Sequence, residues 1–122
     1  MKFAAPLSLV AALSYLLAGP AMAHAHLEAA TPAANATVSV SPSSLELTFS
    51  EGLNLAFSGV DVTNAKGVTI ATDKATLGGT DGTVLTVPIH SALQPGVYTV
   101  NWHVLSNDGH KTQGSYSFTV KP

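Results

Sequence analysis

The sequence predicts an all-β domain, a Greek-key β-sandwich or barrel of about seven strands. Three observations lead there. Apolar residues alternate with polar ones at period two along most of the chain. Clusters of Gly, Asn, Asp and Pro recur every 8–12 residues or so and separate those runs. No segment combines helical periodicity with helical length. About seven short strands in roughly 100 residues is the pattern of a sandwich, with a small closed barrel as the alternative.

The individual strands follow from the alternation. "LELTFS" (45–50) turns Leu45, Leu47 and Phe49 to one side and Glu46, Thr48 and Ser50 to the other. "VYTVNWHVL" (97–105) puts Tyr98, Val100, Trp102 and Val104 on one face, and Trp102, the only tryptophan, is the expected central core aromatic. "SYSFTV" (115–120) aligns Tyr116, Phe118 and Val120. "HLEAA", "SGVDVT", "VTIAT" and "TVLTVPI" supply shorter strands, and "NAKG", "LGGTDG", "LQPG" and "SNDGH" the turns between them. In "QPGVYTVNW" a tyrosine follows a turn at the start of a long strand, which is the pattern of the tyrosine corner of such sandwiches.

The first 23 residues are of another kind. Met1-Lys2 is a short basic start, Phe3 to Leu17 is almost wholly apolar, and Ala21-Met22-Ala23 places small residues where a signal peptidase reads. The apolar run is shorter than the roughly 20 residues of a membrane span. Residues 1–23 therefore read as a secretory signal peptide, and residues 24–122 as one β-domain whose first residue, after cleavage, is His24.

Composition narrows the function. Beyond residue 23 there are four lysines, no arginine and seven acidic residues. That balance excludes a nucleic-acid partner, which needs a basic face. The chain has no cysteine, and both methionines fall in the first 23 residues. The domain thus contains no sulfur, and its stability must come from its core rather than from disulfides.

The assumed topology makes a site. If the first strand runs down from one end of the sandwich, the strand closing at Ser50-Glu51 and the one ending in "SNDGHK" both run up to that end. The amino terminus, Glu51, Asp108 and His110 then converge. His24, His26, Asp108 and His110 are the metal-ligand candidates, and Glu51 is a supplementary or weak ligand. Asp108 and His110, at i and i+2, would point the same way if the segment is extended. Cleavage before His24 frees an α-amine that can chelate together with the ring Nδ1. An amine–X–His start could instead wrap the ion through backbone amides and His26. A nitrogen and oxygen donor set without thioether or thiolate suits copper(II), which heads the affinity series of divalent ions. His90 should sit at the opposite end, and His103 on the polar face of its strand.

The residues also resemble a known family. "HAHLEAATPAANATV", "LTFSEGL", "FSGVDVT" and "LQPGVYTVNWHVLSNDGHKTQGSYSFTV" are similar to CopC-type periplasmic copper-binding proteins of bacterial copper resistance. The most specific part is Trp102-x-Val104-x-Ser106-x-Asp108-Gly109-His110, followed by Gly114 and Phe118. The resemblance implies a small Greek-key fold like those of cupredoxins and immunoglobulin-like domains. It implies one copper(II) ion on His24, Asp108 and His110, with Glu51 or His26 supplementary. It further implies a non-enzymatic, monomeric periplasmic protein that sequesters copper or passes it to an inner-membrane partner of the CopD type. Some members carry a methionine-rich loop for copper(I), but "VTNAKGVTIATDKATLGG" has no methionine. The competing expectation is a copper-dependent oxidative enzyme, since an amino-terminal histidine paired with a second one also resembles the centre of lytic polysaccharide monooxygenases.

Overall fold

A computed structural model describes residues 24–122. The expected signal peptide, residues 1–23, lies outside the described residues. Nine strands form: β1 (Leu27–Thr31), β2 (Thr37–Val38), β3 (Ser44–Phe49), β4 (Gly59–Thr63), β5 (Thr69–Ile70), β6 (Thr76–Gly78), β7 (Val84–Pro88), β8 (Gly96–Leu105) and β9 (Lys111–Val120). They make two sheets, in the orders β1-β3-β7-β6 and β2-β9-β8-β4-β5. This is the strand arrangement of an immunoglobulin-type Greek-key sandwich. β1, β3, β4, β5, β7, β8 and β9 fall on the seven runs that the alternation marked, and β2 and β6, of two and three residues, are additional.

The inward residues of both sheets form the core. Leu45, Leu47 and Phe49 of β3 meet Val100 and Val104 of β8 and Phe118 of β9, all 2% exposed or less. Each such side chain contributes about 1.5–3 kcal/mol of burial. The tyrosine corner is present: the Tyr98 hydroxyl donates to the Gln94 carbonyl at 2.6 Å.

Two expectations need correction. Trp102 is not the central aromatic; Phe49 and Phe118 are, each 1% exposed, while Trp102 is only partly buried. Its cross-strand partner is Gly114, and the indole spreads over that glycine. A Cβ there would lie 2.5 Å from Trp102 Cζ2. The indole also meets Phe49 edge to face, with centroids 5.1 Å apart. β9, in turn, starts four residues before "SYSFTV". Thr112 and Gly114 occupy inward positions there without looking apolar, so the alternation alone did not reveal them.

Register places both ends. Leu27 pairs with Phe49 and Leu105 with Lys111, so the start of β1, the end of β3 and the β8–β9 hairpin share one end of the sandwich. An isolated bridge, Leu53 to Ser106, ties the two sheets together there. The Asn107 amide donates to the Gly52 carbonyl at 3.0 Å, and the Asn54 amide to the Leu105 carbonyl at 2.8 Å.

Candidate metal centre

The β8–β9 hairpin carries two of the expected ligands. Ser106 and His110 close it, with the Ser106 amide donating to the His110 carbonyl at 2.9 Å. The Gly109 amide donates back to the Ser106 carbonyl at 2.9 Å, and Gly109 has φ +93°. A three-residue loop with a left-handed last residue is a standard hairpin connection, and it selects glycine at that position. The segment is therefore a turn, not the extended run that the i, i+2 argument assumed.

Asp108 and His110 nevertheless meet, because Ser106 brings them together. The buried Ser106 hydroxyl, 1% exposed, donates to Asp108 Oδ1. The same carboxylate oxygen accepts from the His110 amide at 3.3 Å and lies 3.2 Å from His110 Nδ1. The Ser106 hydrogen bond, foremost, and those from His110 hold the Asp108 carboxyl below its ordinary value, against a smaller opposing effect of desolvation.

The other donors come from the chain start. The His24 ring lies against His110, with centroids 4.4 Å apart and planes inclined by 53°. Metal–imidazole bonds are about 2.0–2.1 Å long, so two donors of one ion can be up to about 4 Å apart. Ala25 is completely buried, and its carbonyl accepts from the Thr112 hydroxyl at 2.7 Å. His26 is exposed; its Nδ1 lies 3.1 Å from Ser50 Oγ, and its amide donates to the same oxygen at 3.0 Å.

The structure therefore brings His110 against both Asp108 and the His24 ring, with His26 held on Ser50. Glu51 is exposed in the turn after β3, and its carboxylate takes part in none of the hydrogen bonds or ion pairs that organise this end. Among the described residues no three His, Cys, Asp or Glu side chains already converge on one point. His110 turns Nδ1 to Asp108 and His26 turns Nδ1 to Ser50. An ion would have to compete with those hydrogen bonds. The donor chemistry, imidazole nitrogen and carboxylate oxygen in a lightly charged surface, fits a divalent ion of the copper or zinc type.

The remaining histidines fall outside. His90 follows β7 at the far end and pairs with Asp73 at 3.1 Å. His103 is exposed on the outer face of β8, opposite Gln113. Sequence reading missed Ser50, Ser106, Thr112 and Ala25, which position the candidate ligands. Only Ser106 had a local signal, its two-residue spacing before Asp108.

Comparison with known proteins agrees with this fold. The CopC domain family matches residues 27–121. Protein YobA of Escherichia coli K12 is 50% identical over 99 residues, covering 81% of this chain and 80% of that protein. Copper resistance protein C of Xanthomonas campestris pv. juglandis is 37% identical over 111 residues, 87% of each chain. The crystal structure of CopC from Methylosinus trichosporium OB3b superposes with a TM-score of 0.75 at 33% identity, covering 81% of this chain and 95% of that one. That of PcoC, a methionine-rich copper resistance protein from E. coli, gives 0.71 at 33% identity, covering 81% and 100%. With the family match spanning nearly the whole described domain, and with relatives and folds of the same kind, the chain belongs to the CopC family.

Proposed function

We propose that this is a periplasmic copper(II)-binding protein of copper resistance or homeostasis, without enzymatic activity, that holds one copper(II) ion at a processed amino terminus. The observation that carries the reading is the His24–His110 ring pair, 4.4 Å apart with Asp108 attached to it. His24 contributes its ring and, once residues 1–23 are removed, its α-amine. His110 adds a further nitrogen and Asp108 an oxygen. His26 and Glu51 are supplementary. The sulfur-free donor set favours copper(II) over copper(I).

Hydrogen bonding argues against wrapping the ion through backbone amides. That mode needs the His26 nitrogen as a ligand, and its N–H is donated to Ser50. The His26 carbonyl accepts from the Ser50 amide at 2.9 Å. The bond from the His26 amide would have to break. The named copper resistance relatives support the copper assignment, and we read the role as sequestration or transfer to an inner-membrane partner of the CopD type.

The experiment is a copper(II) titration of protein beginning at His24, monitored by electron paramagnetic resonance (EPR). A tight one-to-one complex is expected, weakened by at least about tenfold in His110→Ala, which corresponds to the loss of one good ligand interaction. One extra residue placed before His24 should weaken it comparably by removing the amine. Equal affinity in all three proteins refutes the site.

A further inference from the structure

A chain end is the most mobile part of most domains. A ligand residue placed there must be ordered each time it binds, and that ordering subtracts from affinity. Here the end is clipped to both sheets. From the five-stranded sheet, Thr112 Oγ donates to the Ala25 carbonyl at 2.7 Å. From the end of β3 in the other sheet, Ser50 accepts the His26 amide on its hydroxyl at 3.0 Å and donates its own amide to the His26 carbonyl at 2.9 Å. The Ser50 hydroxyl also reaches the His24 carbonyl at 3.4 Å. Between the clips the Ala25 side chain is completely buried, so the residue between the two histidines must be small.

Thr112 is also covalently close to the other ring. It stands two residues after His110, in β9, whose pairing with β8 is continuous from Leu105–Lys111 downward. The tether of the chain start and His110 therefore lie on the same hairpin. Nothing in the core requires a hydroxyl at position 112, since that inward position could take valine.

Building on the copper site proposed above, we propose that Thr112 and Ser50 are positioning residues: their hydroxyls dock residues 24–26 so that the His24 ring rests against His110 before copper arrives. They touch no metal. They act by removing the freedom that the amino terminus would otherwise lose on binding, and by fixing the angle at which its ring meets the ion.

The test uses protein beginning at His24, in wild-type form and as Thr112→Val and Thr112→Ser. Valine keeps the shape without the hydroxyl, and serine keeps the hydroxyl. Copper(II) affinity is read by competition with a chromophoric chelator, site geometry by EPR, and folding by melting of the metal-free protein. Thr112→Val should bind about tenfold more weakly, the fold-change matching one ordinary hydrogen bond, with a changed or heterogeneous copper spectrum. Thr112→Ser should keep the wild-type spectrum and stay within about threefold of its affinity. A wild-type affinity and spectrum in Thr112→Val overturns the proposal, as does an equal loss in Thr112→Ser, which would mean packing rather than the hydroxyl. If Thr112→Val does not fold, Ser50→Ala decides by the same readings. The site assignment fails separately: wild-type protein would then bind no copper, or His110→Ala would bind it equally well.

Discussion

Gly114→Ala probes the packing beneath the metal end. A Cβ built on Gly114 would stand 2.5 Å from Cζ2, 2.8 Å from Cε2 and 3.1 Å from Nε1 of Trp102. Carbon atoms in good contact are about 3.5–4.0 Å apart, so the indole must retreat by about 1 Å. It cannot do so without disturbing its edge-to-face contact with Phe49, whose ring centroid is 5.1 Å away. Overpacking of this kind costs about 1–3 kcal/mol, and the lost aromatic contact about 0.5–1.5 kcal/mol more. The expected destabilisation is thus about 2–4 kcal/mol, or a fall in Tm of about 10–25 °C for a domain of this size. Urea unfolding followed by far-ultraviolet circular dichroism measures it, with an unchanged m-value as the sign that only stability moved. Trp102→Phe in the Gly114→Ala background should recover part of the loss, a coupling that a double-mutant cycle isolates. A cost below about 0.5 kcal/mol for Gly114→Ala refutes the reasoning.

The two core tyrosines should respond in opposite ways to loss of the hydroxyl. Tyr98→Phe removes the 2.6 Å bond to Gln94 and should cost about 1–2 kcal/mol in the same unfolding assay. Tyr116 buries a hydroxyl with no partner among the described residues, and burial pushes its pKa up to about 12. Tyr116→Phe should therefore be neutral or stabilising; equal losses for the two variants would contradict this. Acid titration of the metal-free protein tests Asp108. Its carboxyl is lowered from 3.8 in the folded state, so its stabilising effect is present above that value and lost as pH falls through the lower folded one. Asp108→Asn cannot titrate and should show a shallower acid limb below about pH 4; superimposable limbs would exclude the effect.

Much of the fold was legible because strand period is a local property. Leu45, Leu47 and Phe49 announce β3 by themselves, and the turn before Tyr98 announces the corner. β2 and β6 were not legible: two or three residues such as Thr37–Val38 carry no period, and β2 exists only because it lies beside the end of β9. Trp102 was misplaced because a large aromatic on an inward face looks central, whereas the space it fills is defined by a glycine on the neighbouring strand. The residue types at the candidate metal end were also visible in the sequence, as histidines and an aspartate in a chain with few charges.

What the sequence by itself determined, then, is whatever depends on neighbours within a few residues: alternation, turns, the glycine of the β8–β9 hairpin, and a set of candidate donors limited to nitrogen and oxygen. Only the tertiary structure decided how those donors meet. His24 finds His110 across 86 positions, Ala25 finds Thr112 across 87, and His26 finds Ser50 across 24. Side-chain hydroxyls are among the commonest surface groups, and a serine or threonine has no distinguishing mark until folding puts a carbonyl or an imidazole within 3 Å or so. Ligand identity is written in residue type, and ligand position in contacts that no local pattern encodes.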